Sequence, residues 1–201
     1  MRNKPWLQST AKSHIRHQRI DSYCIFTEGE TEQLYLTSFR LPNLQIKCVG
    51  LGGGTADHLL NECLSQMKTA KYSGFDHYWL VFDKDDNSPD IIYKVIRTAE
   101  KRKIHWCFSN PCFEIWILLH FCFRNTPTSP EELKRRLIPQ FIKGYSETYP
   151  KLGDTLAEHQ HQAMNNAMRL LPETSRVAWR MQLSNANPST NLDELIRLLA
   201  P

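Results

Sequence analysis

The sequence predicts an α/β fold: a four-stranded parallel sheet sandwiched by helices, with a helical C-terminal extension. Three observations carry this. Four short apolar runs bounded by turn residues alternate with stretches of 3.6-residue periodicity. The alternation stops after Ser109, beyond which only helical patterns follow. Finally, 41% hydrophobic residues in a chain of 201 suffice for one compact domain with an extension. A crossover between parallel strands packs back on its sheet in one hand, so alternating strands and helices imply a parallel sheet covered on both faces.

The first strand is Tyr23–Thr27, and the helix after it, Thr31–Arg40, gathers Leu34, Tyr35 and Phe39 on one side. A second strand, Leu44–Leu51, leads to a helix over Ala56–Lys71 with Leu59, Leu60, Cys63, Leu64 and Met67 along one face. Tyr78–Asp83 is the third strand. Its helix opens after Asn87-Ser88-Pro89, with proline where the first turn has no use for an N–H, and carries Ile92, Val95, Ile96 and Ala99. Ile104–Ser109 is the fourth strand. Phe113–Phe123, Glu131–Leu137, Leu156–Leu171 and Leu192–Leu199 then read as helices, the last with a capping-box start at Asn191 and Glu194. The loop Asn125–Pro130, with two prolines and three Ser or Thr residues, marks a seam. Three regions result: a basic tail over 1–20, an α/β core over 21–124, and a helical region over 125–201 packed on it.

This composition excludes disordered, collagen-like and coiled-coil classes. The longest apolar-rich run, Ile115–Phe123, is nine residues and contains His120, short of the ~20 residues a membrane span needs. Residues 1–20 carry Arg2, Lys4, Lys12, Arg16 and Arg19 with no acid and no apolar segment, so a secretory signal is not expected and the location is read as cytoplasmic. Of 25 basic and 21 acidic residues overall, 20 basic and 21 acidic lie beyond this tail, so the excess charge sits there. Such a tail suits nucleic acid phosphates or plain solvation. The six cysteines form no C-x-x-C pair and read as reduced core residues. A zinc site from His105-x-Cys107 and His120-x-Cys122 fails, because side chains two apart on a helix diverge.

The acids fall at strand ends, where ligands bind in open α/β sheets. Thr27-Glu28-Gly29-Glu30-Thr31-Glu32 follows the first strand, Asp83-Lys84-Asp85-Asp86-Asn87 the third, and Glu114 lies just beyond the fourth. With the first and third strands adjacent, in a 2-1-3 order, their ends are about 4.8 Å apart and Glu28 converges with Asp83 and Asp85. Crowded carboxylates raise one another's pKa or recruit a hard cation such as Mg²⁺ or Mn²⁺. Glu30, Glu32 and Asp86 read instead as helix-start residues. Gly50-Leu51-Gly52-Gly53-Gly54-Thr55 reads as a flexible turn, or alternatively as a place where Gly52 and Gly53 let the backbone meet a phosphate; without Lys-Ser/Thr it is no P-loop. Lys101-Arg102-Lys103 and Lys134-Arg135-Arg136 offer substrate grip or are solvated helix ends. The aromatic block Trp106, Phe108, Phe113, Trp116, Phe121 and Phe123 reads as core, with stacking on an unpaired RNA base as the alternative.

These motifs, with Ser109-Asn110-Pro111-Cys112-Phe113-Glu114-Ile115-Trp116 and Asn187-Pro188-Ser189-Thr190-Asn191-Leu192, resemble the RloB-like family over about residues 20–200. That family is similar to the Toprim fold of topoisomerases, bacterial primases and OLD-type nucleases. The resemblance implies a Mg²⁺- or Mn²⁺-dependent endonuclease in anti-phage defence, with Glu28, Asp83 and Asp85 as catalytic metal ligands and Glu114 as a further ligand. It also implies a nucleic acid substrate, RNA such as tRNA or DNA, and a partner AAA or ABC-type ATPase. OLD-type nucleases use a lysine, for which Lys84, Lys143 and Lys151 are open candidates; Lys84, Lys143, Gly52 and Gly53 are taken as substrate-binding. No topoisomerase tyrosine setting and no primase zinc module are present. Competing classes are a non-catalytic Toprim-like scaffold and a phosphatase acting on a small phosphorylated molecule.

Overall fold

The computed structural model describes residues 21–40, 44–85 and 87–200; the basic tail over 1–20 and Asp86 lie outside the described residues. Strands β1 (Asp21–Thr27), β2 (Leu44–Gly50), β3 (His77–Asp83) and β4 (His105–Asn110) alternate with helices α1 (Glu30–Leu36), α2 (Ala56–Gln66) and α3 (Pro89–Lys101). After β4 come α4 (Glu114–Leu119) and α5 (Pro130–Glu132), the latter running into a π-helical turn over Leu133–Leu137. These are followed by α6 (Leu152–Ala157), α7 (Gln160–Leu170), α8 (Arg176–Arg180), β5 (Ser189–Thr190) and α9 (Leu192–Leu199).

The sheet order is β2-β1-β3-β4-β5. β1 to β4 pair in parallel, and the 2-1-3 arrangement that brings Glu28 beside Asp83 is present. The expectation of four strands is corrected by β5, a two-residue antiparallel strand that pairs Ser109 with Thr190 and Asn110 with Ser189. Too short to show periodicity, it owes its place to β4. The side chain of Asn191 prolongs this edge. Its Oδ1 accepts from the Phe108 N–H at 2.8 Å and its Nδ2 donates to the Trp106 carbonyl at 3.3 Å. Asn191 therefore does not form the expected capping box: α9 begins there without a side-chain cap.

Side chains alternate across the strands, so each face of the sheet has its own core. Cys24, Phe26, Leu80, Phe82, Trp106 and Phe108 pack under α2 and α3. Ile25, Trp79, Val81 and Cys107 face α1, the fully buried α4 and the helices that follow, up to Leu195, Ile196 and Leu199 of α9. The aromatic block contributes to both faces, with Trp106, Phe108, Phe113 and Trp116 all buried. All six cysteines are free thiols.

Helices end earlier than periodicity predicts. The first stops at Leu36, where the Thr37 hydroxyl donates back to the Gln33 carbonyl, and the second at Gln66, whose carbonyl accepts from the Thr69 hydroxyl. α4 ends at Leu119, and the buried His120 ring bonds the Trp116 carbonyl. The expected helix over Leu156–Leu171 is two, α6 and α7, broken at Glu158 and His159. No helix among the described residues is long and apolar enough to cross a membrane.

Candidate functional site

The carboxyl ends of β1 and β3 open into a cleft of about 360 Å³ lined by Glu28, Glu30, Glu32, Asp83, Asp85, Glu114, Lys134 and Glu147, with Gly52, Gly53 and Gly54 along one wall. Glu28 leaves β1 with its backbone fully engaged: its N–H continues the ladder to Val81, and its carbonyl accepts from the Gly53 N–H at 2.8 Å. Its side chain reaches β3, where Oε2 accepts from the Asp83 N–H at 3.2 Å.

Asp83 is buried at the end of β3. The loop after β4 fixes it: Phe113 N–H donates to Oδ2 at 2.9 Å, while Lys84 and Asp85 N–H groups donate to the carbonyls of Ser109 and Pro111. The Asn-Pro segment thus ties the aspartate pair to the start of α4, where Glu114 sits buried. The Asp83 carbonyl accepts from Asn87, whose Oδ1 accepts from Ala56 N–H at the start of α2. Asn87 is therefore a bridge between β3 and α2, and the cap of α3 is Ser88. Asp85 is exposed at φ 25°, a conformation Asp adopts more readily than most residues.

One oxygen of this cluster has no hydrogen-bond partner among the described residues: the buried Oδ1 of Asp83. Burial and then the charges of Glu32, Asp85 and Glu114 push the Asp83 carboxyl well above the ordinary aspartate range. Burial, with Asp85 adding to it, raises Glu28 to about 7. Glu32 departs from its reading as a helix-start residue. It is only 3% exposed, and burial followed by Glu114, Glu28 and Asp85 raises it to about 8. Gly29 makes room for it: a Cβ there would lie 2.7 Å from Glu32 Oε2.

The helical region supplies what the sequence did not single out. Lys134, on the π-helical turn, lies 3.7 Å from Glu114 Oε1 and 2.5 Å from Glu147 Oε1. Burial opposes its charge, but Glu114 and Glu147 raise its pKa overall. Tyr145 donates its hydroxyl to Glu114 Oε1 at 3.1 Å. The basic run 134–136 was the available signal, but which of its three members turns inward depends on the fold. Arg135 instead pairs with Glu131 on the surface. Lys84 donates to the Asp85 carbonyl, and neither it nor Lys143 nor Lys151 lines the cleft.

The donor set consists of hard carboxylate oxygens, and the unpartnered buried oxygen of Asp83 fits a divalent cation. Among the described residues no three His, Cys, Asp or Glu side chains are grouped closely enough to hold a metal as they stand, so the acids converge on a cleft and not on a point. The sequence profile of the RloB-like protein family matches residues 23–199. No curated protein and no solved structure matches the chain.

Proposed function

The chain belongs to the RloB-like family, and from that premise we propose that it is a Toprim-type, Mg²⁺- or Mn²⁺-dependent endonuclease acting on RNA, such as tRNA, or on DNA in anti-phage defence. The observation that carries the reading is the crowding of Glu28, Glu32, Asp83, Asp85 and Glu114 on one cleft, with a buried Asp83 oxygen left unpartnered. Like charges held this way are costly unless protonated or neutralised. Glu28 and Asp83, with Asp85 and Glu114, would hold the cation, which supplies an activated water and charge neutralisation on the phosphate.

The protein's own groups have separable tasks. Phe113 N–H and the Asn-Pro loop orient Asp83, and Tyr145 orients Glu114. Glu32, raised to about 8 by burial and then by Glu114, Glu28 and Asp85, holds a proton at neutral pH. Lys134 is the one cation among the described lining residues and the group suited to a non-bridging phosphate oxygen. Gly52 and Gly53, at φ 72° and 105° with open space where a Cβ would stand, let a nucleic acid strand approach the wall. No Walker lysine follows this loop, and the AAA or ABC-type ATPase that the family resemblance implies would supply any energy-dependent control.

The deciding experiment is Mn²⁺- and Mg²⁺-dependent cleavage of total tRNA, single-stranded DNA and duplex DNA, with and without the ATPase. Glu28→Gln and Asp83→Asn proteins are expected to lose at least 100-fold in rate, in the range of removing one major electrostatic contributor, with unchanged or higher Tm. Cleavage at the wild-type rate by both variants would remove the metal-site reading. The absence of a preformed three-ligand set favours a second reading, a scaffold that cuts nothing. It is supported instead if no substrate is cleaved under any of these conditions.

A further inference from the structure

The cleft takes a polyanion under the proposed reading, yet seven of its lining residues are acids and one, Lys134, is a cation. That cation is already engaged. Glu147 comes from the segment after the π-helical turn, which is fixed over the site at two points: the Thr31 hydroxyl donates to the Glu147 carbonyl at 3.0 Å, and Tyr145 bonds Glu114. The backbone of Glu147 is thus held at the rim while its side chain stays 59% exposed, against 30% for Lys134. Such a carboxylate can swing into solvent without moving the segment. Lys134 would remain beside Glu114 when it does.

A carboxylate and a phosphodiester offer an ammonium group the same kind of charged oxygen acceptor. We propose that Glu147 is an internal stand-in for the substrate phosphate: it occupies Lys134 in the free protein and must release it for a nucleic acid strand to enter. This inference rests on the nuclease reading and adds a regulatory contact to that site. The exchange breaks no covalent bond and moves no proton, and Lys134 keeps an anionic partner throughout.

The test is equilibrium binding of fluorescein-labelled single-stranded RNA and DNA oligonucleotides by anisotropy. Ca²⁺ replaces Mg²⁺ to hold the strand uncut, and wild-type cleavage is measured in parallel with Mn²⁺. Glu147→Gln keeps the shape and removes the competing charge, and is expected to bind about fivefold tighter, the scale of releasing a partly exposed ion pair. The gain should shrink as salt rises, and Tm should not move. Glu131→Gln removes the same charge from the surface pair with Arg135 and is expected to change nothing. If Glu147→Gln binds no tighter while the wild type binds and cleaves, the stand-in role is overturned and the nuclease reading survives. An equal gain in both variants would reduce the effect to net charge and overturn it too. A wild type that neither binds nor cleaves removes both readings together.

Discussion

Asp83 keeps one carboxylate oxygen on the Phe113 N–H and leaves the other buried with no partner among the described residues, and the acids around it carry raised pKa values of their own. Glu28 moves from 4.5 to about 7 and Glu32 from 4.5 to about 8, burial being the larger cause in each. A carboxyl whose folded pKa lies above its unfolded value binds more protons in the folded state, so stability falls as pH rises between the two values. For these two groups that window runs from about 4.5 to about 8. The metal-free protein should lose Tm steadily from pH 5.5 to pH 8, measured by calorimetry. Added Mn²⁺ should restore more Tm at pH 8 than at pH 5.5, and Asp83→Asn should flatten the metal-free slope. A metal-free Tm independent of pH in this range would contradict the crowding. Glu28 and Asp83 were legible in the sequence because each closes an apolar run, and Asp85 because it follows Asp83 two residues on. Glu32 was not, since an acid in the first turn of a helix satisfies a local rule and only the tertiary fold turns it inward.

Elements depend on side chains that act as backbone. Asn191 completes the edge of β4 by pairing with both Phe108 and Trp106, so Asn191→Ala leaves a buried N–H and a buried carbonyl unsatisfied. The expected cost is about 2–3 kcal/mol, a fall of roughly 5–10 °C in Tm for a chain of this size, whereas Asn185→Ala at an exposed position should stay within about 0.5 kcal/mol of wild type. Equal melting of the two variants would refute the role. The four parallel strands were readable to within two residues because β1, β3 and β4, buried on both faces, show as continuous apolar runs, and the edge strand β2 shows as an alternating one. The ends of the helices were not, because the apolar pattern runs on past Leu36 and Gln66 while Thr37 and Thr69 close the last turns. Asn191 read as a helix cap because its neighbour in space, β4, lies over 80 residues away in sequence.

At the scale of the molecule, the α/β region and the helical region share both cores, with Leu171, Trp179 and Leu183 joining the one under α2 and α3. Ile25, Trp79, Val81 and Trp116 lie in the same buried cluster as Leu133, Ile138, Leu156, Ala163 and Leu195. A chain ending at residue 124 keeps Glu28, Asp83, Asp85 and Glu114 but uncovers that face and loses Lys134 and Tyr145. It should be recovered insoluble, or give no cooperative unfolding transition by circular dichroism; a soluble fragment with a sharp transition would show that the seam at 125–130 separates independent units. The same sharing imposes an order on biosynthesis. Since β5 and α9 lie against β4 and seal one face of the sheet, a nascent chain cannot finish this layer until residues 189–199 have cleared the ribosomal tunnel. Until then the β4 flank, with the main-chain groups of Ser109 and Asn110 that β5 comes to pair, stays open.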